Sequence, residues 1–308
     1  MGQLILQQVI NGLALGCVYG LVTLGYSMVY GILEMLNFAH GDVFMIGGMI
    51  GYFILQAFLG PSGLSAPAAM VVVLMMIGAM AGCSLLGMGI EFVAYRPLRK
   101  GGASRLAVLI SALAMSILLQ NLTALFIGAR AKDYSTYLLI PPDWIIRIGT
   151  IVVTGTQVLI IAVTIISMLA LDLFVRRTRF GKAMRATNND RDAAPFMGIS
   201  VNFIVALTFL IGSALAGIGG VLVGLYYTQV DFFMGFAAGF KAFTAAVLGG
   251  IGNLRGAMLG GLLLGLVESI AIGFISPVYK DAIALVVLVL VLLVRPQGLL
   301  GEQLPVKV

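Results

Sequence analysis

The most restrictive feature of the chain is a series of long apolar blocks separated by short polar stretches. A block of about 20 apolar residues can cross the hydrocarbon core of a bilayer as an α-helix. Hydrophobic residues make up 61% of the 308-residue chain and charged residues 10%, against about 45–50% and 25% in soluble proteins. The sequence therefore predicts an all-α, polytopic integral membrane protein. It excludes a soluble enzyme, a nucleic-acid-binding domain and a disordered protein.

The blocks predict about eight to nine transmembrane helices within one transmembrane domain over residues 1–308. We place them at about residues 8–32, 41–60, 67–93, 106–127, 151–175, 201–227, 238–252, 256–275 and 281–295. The segments 41–60 and 238–252 are short and interrupted by glycine, so each fits a broken or re-entrant helix as well as a full span. The parity of the helix count stays open at this point.

Two clusters of basic residues predict the orientation. They are Arg96, Arg99, Lys100 and Arg105, and then Arg176, Arg177, Arg179, Lys182, Arg185 and Arg191. Basic loops remain in the cytoplasm, and the two predicted spans between the clusters put both on one side. Residues 128–150 then form a periplasmic loop, and nine spans would leave the N-terminus outside.

Many of the 40 glycines lie inside the predicted spans. Gly256 with Gly260, and Gly261 with Gly265, have the spacing that lets helix backbones approach closely in membranes. Two Gly-rich stretches, 37–48 (NFAHGDVFMIGG) and 253–261 (NLRGAMLGG), also echo each other weakly. The echo fits either an internal repeat, as in many transporters, or convergent Gly-rich composition.

The sequence contains no recognisable catalytic or metal-binding motif. It has one histidine, His40, and lacks the HExxH, GxSxG and Walker A patterns. Cys17 and Cys83 lie in apolar blocks, so neither a disulfide framework nor a cysteine-rich metal site is expected. We therefore predict no catalytic residue, no metal and no cofactor bound by this chain.

Several polar residues fall where membrane depth is expected. Glu34, Asn37 and His40 stand between the first two apolar blocks, Asn121 is near the end of the fourth, and Glu268 lies within the eighth. Polar groups at membrane depth usually face an interior path or another helix. A plain cytoplasmic turn is the alternative for residues 34–42, and structural hydrogen bonds are the alternative for the rest. Lys241 could pair with Glu268 or extend to the interface.

The second basic stretch, residues 176–200 (RRTRFGKAMRATNNDRDAAPFMGIS), has more pattern than a membrane anchor needs. A short helix is predicted over about residues 181–194. Asp192-Ala193-Ala194, followed by Gly198, resembles the start of the EAA-x-x-x-G pattern of ABC importer permeases, in which a short helix docks on an ATPase subunit. Pro195 departs from the pattern. The candidate ATPase-coupling residues are Gly181, Arg185, Asp190, Asp192, Ala193, Ala194 and Gly198.

Nearly the whole chain resembles the LivH-type permease subunits of bacterial branched-chain amino acid ABC importers. The matching segments are 28–48, 110–121 (ISALAMSILLQN), 176–198, 206–222 (ALTFLIGSALAGIGGVL) and 239–261 (GFKAFTAAVLGGIGNLRGAMLGG). The resemblance implies a non-catalytic, multi-pass subunit of the bacterial cytoplasmic (inner) membrane. It also implies a LivM-like second permease, two cytoplasmic ATPase subunits that bind ATP, and a periplasmic amino-acid-binding protein.

A branched-chain or other hydrophobic amino acid carries two charges and an apolar side chain, so its path needs polar groups and apolar walls. The candidate path residues are Glu34, Asn37, His40, Asn121, Thr244, Asn253 and Glu268. Two alternatives stay open. The same machinery could import urea, short amides or other amino acids, or the chain could be a stand-alone secondary transporter or channel.

Overall fold

The computed structural model describes residues 2–60, 63–149 and 151–301 of a helical bundle. The helices are α1 Gly2–Leu33, α2 Ala39–Phe58, α3 Ala68–Ile90, α4 Arg96–Lys100, α5 Arg105–Phe126, α6 Thr136–Leu139, α7 Gly155–Arg177, α8 Arg179–Asn189, α9 Val201–Tyr227, α10 Met234–Gly249, α11 Leu254–Phe274 and α12 Lys280–Val294. Residue 150 of the predicted 128–150 loop, and residues 1, 61–62 and 302–308 of the predicted 1–308 domain, lie outside the described residues.

Eight of the described helical segments are long and apolar enough to cross a membrane. The predicted polytopic all-α fold is therefore confirmed. Helix α10, in the place of the predicted span 238–252, has 16 residues and is about 24 Å long, less than the ~30 Å of a hydrocarbon core. The helical segment that begins with α3 is longer than the predicted span 67–93, because a π-helical turn at Glu91–Tyr95 joins α3 to α4 and the segment ends at Lys100.

Three short antiparallel strand pairs connect the helices. They are β1 Leu59–Gly60 with β2 Gly63–Leu64, β3 Lys132–Asp133 with β6 Gln229–Val230, and β4 Ile145–Ile148 with β5 Ile151–Thr154. The prediction that the fifth span begins at residue 151 was wrong, because residues 151–154 form β5. Helix α7 begins only at Gly155, where the Thr154 side chain and Gln157 form a capping box.

Both basic clusters lie at one end of the bundle, which we call the basic side. Arg105 at the start of α5 pairs with Glu34 after α1, and Arg99 in α4 donates to Asn202 in the first turn of α9. At the opposite end, Gln7 in α1 exchanges two hydrogen bonds with the backbone of Val152. The positive-inside rule assigns the basic side to the cytoplasm.

Two helix pairs, α1 with α11 and α9 with α3, are each antiparallel and closely packed, and α1 and α9 run in opposite directions. Helix α1 runs toward the basic side and packs on α11, where Cβ atoms added at Gly12 and Gly16 would lie 2.8 Å from Leu266 Cα and Leu262 Cα. Helix α9 runs away from the basic side and packs on α3, where Gly217 lies against the backbone of Ala79. Glycine permits both approaches because any Cβ would overlap the neighbouring backbone.

Helices α3 and α11, one from each pair, also share a sequence pattern. Residues 78–87 read GAMAGCSLLG and residues 256–265 read GAMLGGLLLG, identical at seven of ten positions. The two segments run in opposite directions through the bundle, which is the relationship expected of an inverted internal repeat. The echo between residues 37–48 and 253–261 stays a prediction; Asn253 caps α11, whereas Asn37 lies two residues before the start of α2.

Helices α2 and α10 both begin inside the bundle. His40 in the first turn of α2 lies 3.2 Å from the carbonyl oxygen of Val22, which is 11 residues or about 16 Å along α1 from its end at Leu33. The first turn of α10 meets the same turn of α2, where Gly41 contacts Gly235 and Gly239 through backbone atoms. The chain therefore enters the bundle from opposite sides to start these two helices.

Candidate translocation path and coupling segment

The polar run 34–42 divides between the surface and the interior. Glu34 directly follows α1 and has a left-handed backbone (φ 51°), and its exposed side chain accepts a hydrogen bond from Arg105 at 2.6 Å. The chain turns inward after this residue, so Glu34 lies on the surface of the basic side. The alternative of a plain cytoplasmic turn therefore describes Glu34 but not the residues that follow it.

Asn37 and His40 lie together in the core between α1, α2 and the end of α3. Asn37 is 3% exposed, and its Oδ1 accepts a hydrogen bond from the Tyr95 hydroxyl at 2.7 Å. His40 is 1% exposed and packs edge-on against Tyr26, with ring centroids 4.8 Å apart. These contacts tie the start of α2 to both neighbouring helices.

Asp42, two residues after His40, completes this polar cluster, although it was not among the predicted path residues. Its side chain is fully buried, and its Oδ1 accepts a hydrogen bond from Gln120 Nε2 at 3.0 Å. Gln120 Nε2 also donates to the hydroxyl of Ser116, one turn earlier on α5. The cluster therefore extends from the first turn of α2 to α5.

Three other predicted path residues have local structural partners. Asn121 is exposed on α5 and donates to the carbonyl oxygen of Ile117 on its own helix. Thr244 is 2% exposed and donates to its own helix at Phe240. Asn253 caps α11, and its Nδ2 donates to the carbonyl oxygen of Leu300. That these residues line a path stays a prediction.

Glu268 lies in a second buried polar cluster, away from Asn37 and His40. It is fully buried and accepts hydrogen bonds from the Tyr19 hydroxyl at 2.8 Å and from Lys241 Nζ at 2.7 Å. Lys241 also pairs with Asp281 at the start of α12. Lys241 is therefore the partner of Glu268, and the alternative that it extends to the interface is not what the structure has.

The predicted coupling segment begins with α8, which turns back onto the end of α7. Gly181 packs against the carbonyl oxygen of Val175, and the Arg185 guanidinium donates to the same oxygen. The predicted helix over about residues 181–194 is shorter in the structure, because α8 ends at Asn189. Gly181 and Arg185 thus fix the α7–α8 corner.

The rest of the segment is a turn followed by a 3₁₀ helix. Asp190 Oδ1 accepts hydrogen bonds from the backbone N–H groups of Asp192 and Ala193. A 3₁₀ helix spans Ala194–Met197 and ends at Gly198, whose φ of 76° is the left-handed conformation that glycine tolerates. Asp192 and Ala193 are exposed, whereas Ala194 is 3% exposed and faces its own chain.

Phe196 and Met197 are the most exposed large apolar side chains of the coupling segment, at 90% and 81%. An exposed apolar pair among basic residues is typical of a contact surface for another protein. The sequence signal for this pair is the Pro-Phe-Met run before Gly198, which places two large apolar residues in a basic stretch. Nearby, burial and then the charge of Arg99 lower the pKa of Arg191.

Among the described residues, no group of three or more His, Cys, Asp or Glu side chains is arranged to hold a metal ion. The fold places two buried polar clusters at helix contacts and an exposed apolar pair, Phe196 and Met197, at the basic side. Comparison with known proteins identifies the family to which this arrangement belongs.

Residues 8–292 match the family described as "Branched-chain amino acid transport system / permease component". The chain belongs to this permease family. It is 45% identical to the permease LivH of a high-affinity branched-chain amino acid transport system from Salmonella typhimurium, over 96% of each chain. It is 46% identical to the corresponding permease BraD of Pseudomonas aeruginosa, also over 96% of each chain. A probable LivH from Methanocaldococcus jannaschii is 26% identical over 91% of this chain and 88% of its own.

No solved structure matches the chain. Family membership and the eight apolar helices together make this permease a multi-pass membrane protein. Its relatives are transport permease components, and the recognition made from sequence segments is confirmed.

Proposed function

We propose that this permease is the membrane subunit of an ABC importer that moves branched-chain amino acids into the cytoplasm. It pairs with a LivM-like second permease in the cytoplasmic membrane, and a periplasmic binding protein delivers the amino acid. Two cytoplasmic ATPase subunits bind and hydrolyse ATP, while this chain supplies no catalysis. The observation that carries the proposal is 45% identity to LivH over 96% of both chains.

The coupling segment supports the ATPase partnership. Phe196 and Met197 project from a 3₁₀ helix on the basic side, next to a corner held by Gly181 and Arg185. A rigid base with an exposed apolar tip can transmit movement of a docked partner to α7 and α9 as a rigid-body shift. Ala194 faces inward, so Phe196 and Met197 are better docking candidates than the Ala pair.

The proposal is tested by reconstituting the permease in proteoliposomes with its genomic neighbours for the other subunits. We expect ATP-dependent uptake of leucine, isoleucine and valine that requires the binding protein. Uptake of urea or short amides in place of these amino acids would support the alternative, in which the same machinery carries a different cargo. Transport by this chain alone, without ATPases, would replace the importer with a secondary transporter.

The docking step is tested with Phe196→Ala. Removing an exposed ring should leave membrane insertion intact, yet it should lower the amount of ATPase subunits that co-purify and the transport that depends on them. Tyr137→Ala is the matched control, because Tyr137 is 64% exposed on the opposite end of the bundle. Unchanged co-purification and uptake with Phe196→Ala would remove Phe196 from the docking surface.

A further inference from the structure

Three acidic side chains are fully buried in the described part of the chain: Asp42, Glu91 and Glu268. Two of them are neutralised by basic partners. Glu91 pairs with Arg96 and Arg99, each at 2.8 Å, and Glu268 pairs with Lys241 at 2.7 Å. This is the usual arrangement, since a buried carboxylate without a cation is strongly unfavourable.

Asp42 is the exception among these three. No Lys, Arg or His side chain within the described residues forms an ion pair with it. Its Oδ1 accepts from Gln120, but its buried Oδ2 has no hydrogen-bond partner in the same part of the chain. Burying an unpaired acceptor lowers stability, so this arrangement requires an explanation other than packing.

A second unpaired polar atom lies beside Asp42. The buried Tyr26 hydroxyl also lacks a hydrogen-bond partner among the described residues. A Cβ added at Gly235 would lie 2.9 Å from Asp42 Oδ1, and one added at Gly239 would lie 3.0 Å from Tyr26 Oη. Both groups therefore face the first two turns of α10, which begins inside the bundle.

Only the Gln120 side chain separates Asp42 from the exposed face of α5. Gln120, which bonds Asp42, is only half-buried, and the next residue, Asn121, is exposed between apolar residues of α5. An exposed amide at this depth fits a face that lines a path or meets another subunit better than one that meets lipid. A solute on that face would reach Asp42 by displacing Gln120.

We propose that Asp42 is the group on the translocation path that binds the ammonium group of the cargo. An ammonium brings a positive charge and three N–H donors, and Asp42 Oδ2 and the Tyr26 hydroxyl supply acceptors without a hydrogen-bond partner among the described residues. The inference rests on the proposed function, because an amino acid is the cargo that carries this ammonium. It goes further by naming the residue that distinguishes such a cargo from neutral amides.

The test is Asp42→Asn in the complete reconstituted transporter. Asparagine keeps the shape and can still accept from Gln120, but it removes the charge that the ammonium needs. We expect the uptake rate of leucine to fall roughly tenfold or more, the scale of one lost charge-assisted hydrogen bond. We expect resistance to heat to stay equal to that of the wild type or to rise, because an uncompensated buried charge is gone.

Asp172→Asn is the matched control, since Asp172 is partly exposed near the end of α7 and pairs with Arg176. It should transport at the wild-type rate. Uptake by Asp42→Asn within about twofold of the wild type would overturn the inference. So would a parallel loss of heat resistance and uptake, which would make Asp42 a structural residue.

The remaining outcomes separate this inference from the proposed function. Wild-type transporter that carries no amino acid refutes the proposed function without any variant. If its cargo is then a neutral amide, the ammonium inference falls with it, whereas any cargo with an ammonium group must show the same loss in Asp42→Asn. Wild-type uptake that depends on Na⁺, with that dependence lost in Asp42→Asn, would assign the site to a metal cation and overturn the inference.

Discussion

Replacement of Lys241 by methionine should destabilise the permease more than any other single change in the Glu268 cluster. The Lys241 side chain is 12% exposed and lies between two carboxylates, Glu268 at 2.7 Å and Asp281 at 2.8 Å. Glu268 has no exposed surface, whereas Asp281 is 65% exposed. Lys241→Met fills the same space without charge, and it leaves Glu268 with only the Tyr19 hydroxyl.

The magnitude follows from which charge is left behind. Removing one partner of a buried ion pair costs about 3–5 kcal/mol, because the other charge stays buried without compensation. Glu268→Gln is milder, since Lys241 keeps Asp281 as a partner near solvent. The loss there is about one charge-assisted hydrogen bond, ~1.5–3 kcal/mol, at the lower end because the amide can still accept. We therefore expect Lys241→Met to cost about 2 kcal/mol more than Glu268→Gln.

The assay is heat treatment followed by size-exclusion chromatography of the permease in lipid nanodiscs. It gives the temperature at which half of the monodisperse peak is lost, for both single variants and for the double variant. Lys241→Met should unfold at the lowest temperature. The double variant Lys241→Met with Glu268→Gln should recover part of the loss, because no buried charge is left unpaired. Equal loss in the two single variants, or strict additivity in the double variant, would refute the reasoning.

Two further predictions concern the helix contacts. Gly16→Val should prevent α1 from packing on α11, because its Cβ would lie 2.8 Å from the Cα of Leu262, and folded permease should not be recovered in detergent. The control Gly89→Val, at a helix position with open space around it, should be recovered normally. Asn253→Ala removes both the N-cap of α11 and the tether to Leu300, so we expect a loss of about 1–2 kcal/mol, measured as a lower heat-unfolding temperature; an unchanged temperature would show that the cap contributes nothing.

Hydropathy predicted the number and position of the helices well because it measures the transfer of side chains into lipid. The predicted span 106–127 is α5 at Arg105–Phe126, and 201–227 is α9 within the same bounds. It failed at residues 151–154 (IVVT), which form a strand, the conformation that their β-branched side chains favour. Apolar character alone does not separate a strand at the membrane surface from the first turn of a span.

The candidate sites were less predictable, because residues adjacent in sequence have opposite surroundings in space. Glu34 and Asp42 belong to one polar run, yet the first pairs with Arg105 at the surface and the second is buried beside α10. The difference depends on where the chain re-enters the bundle, and that depends on long-range packing. The pairing of Lys241 with Glu268 could be suggested from sequence, because two opposite charges in apolar helices need each other.

The inverted repeat gives a physical reason for the concentration of polar groups at one place. Helices α2 and α10 enter from opposite sides, and their first turns meet at Gly41 and Gly235. Helix N-termini carry unpaired N–H groups and a partial positive charge, so this meeting point offsets part of the charge of Asp42, although Asp42 Oδ2 has no hydrogen-bond partner among the described residues. The contact itself is made by backbone, and a Cβ at Gly41 would lie 2.7 Å from Gly239 Cα. The contact at Gly41 is thus backbone on backbone, whereas the Met234 side chain in the first turn of α10 packs on α2 at Gly48.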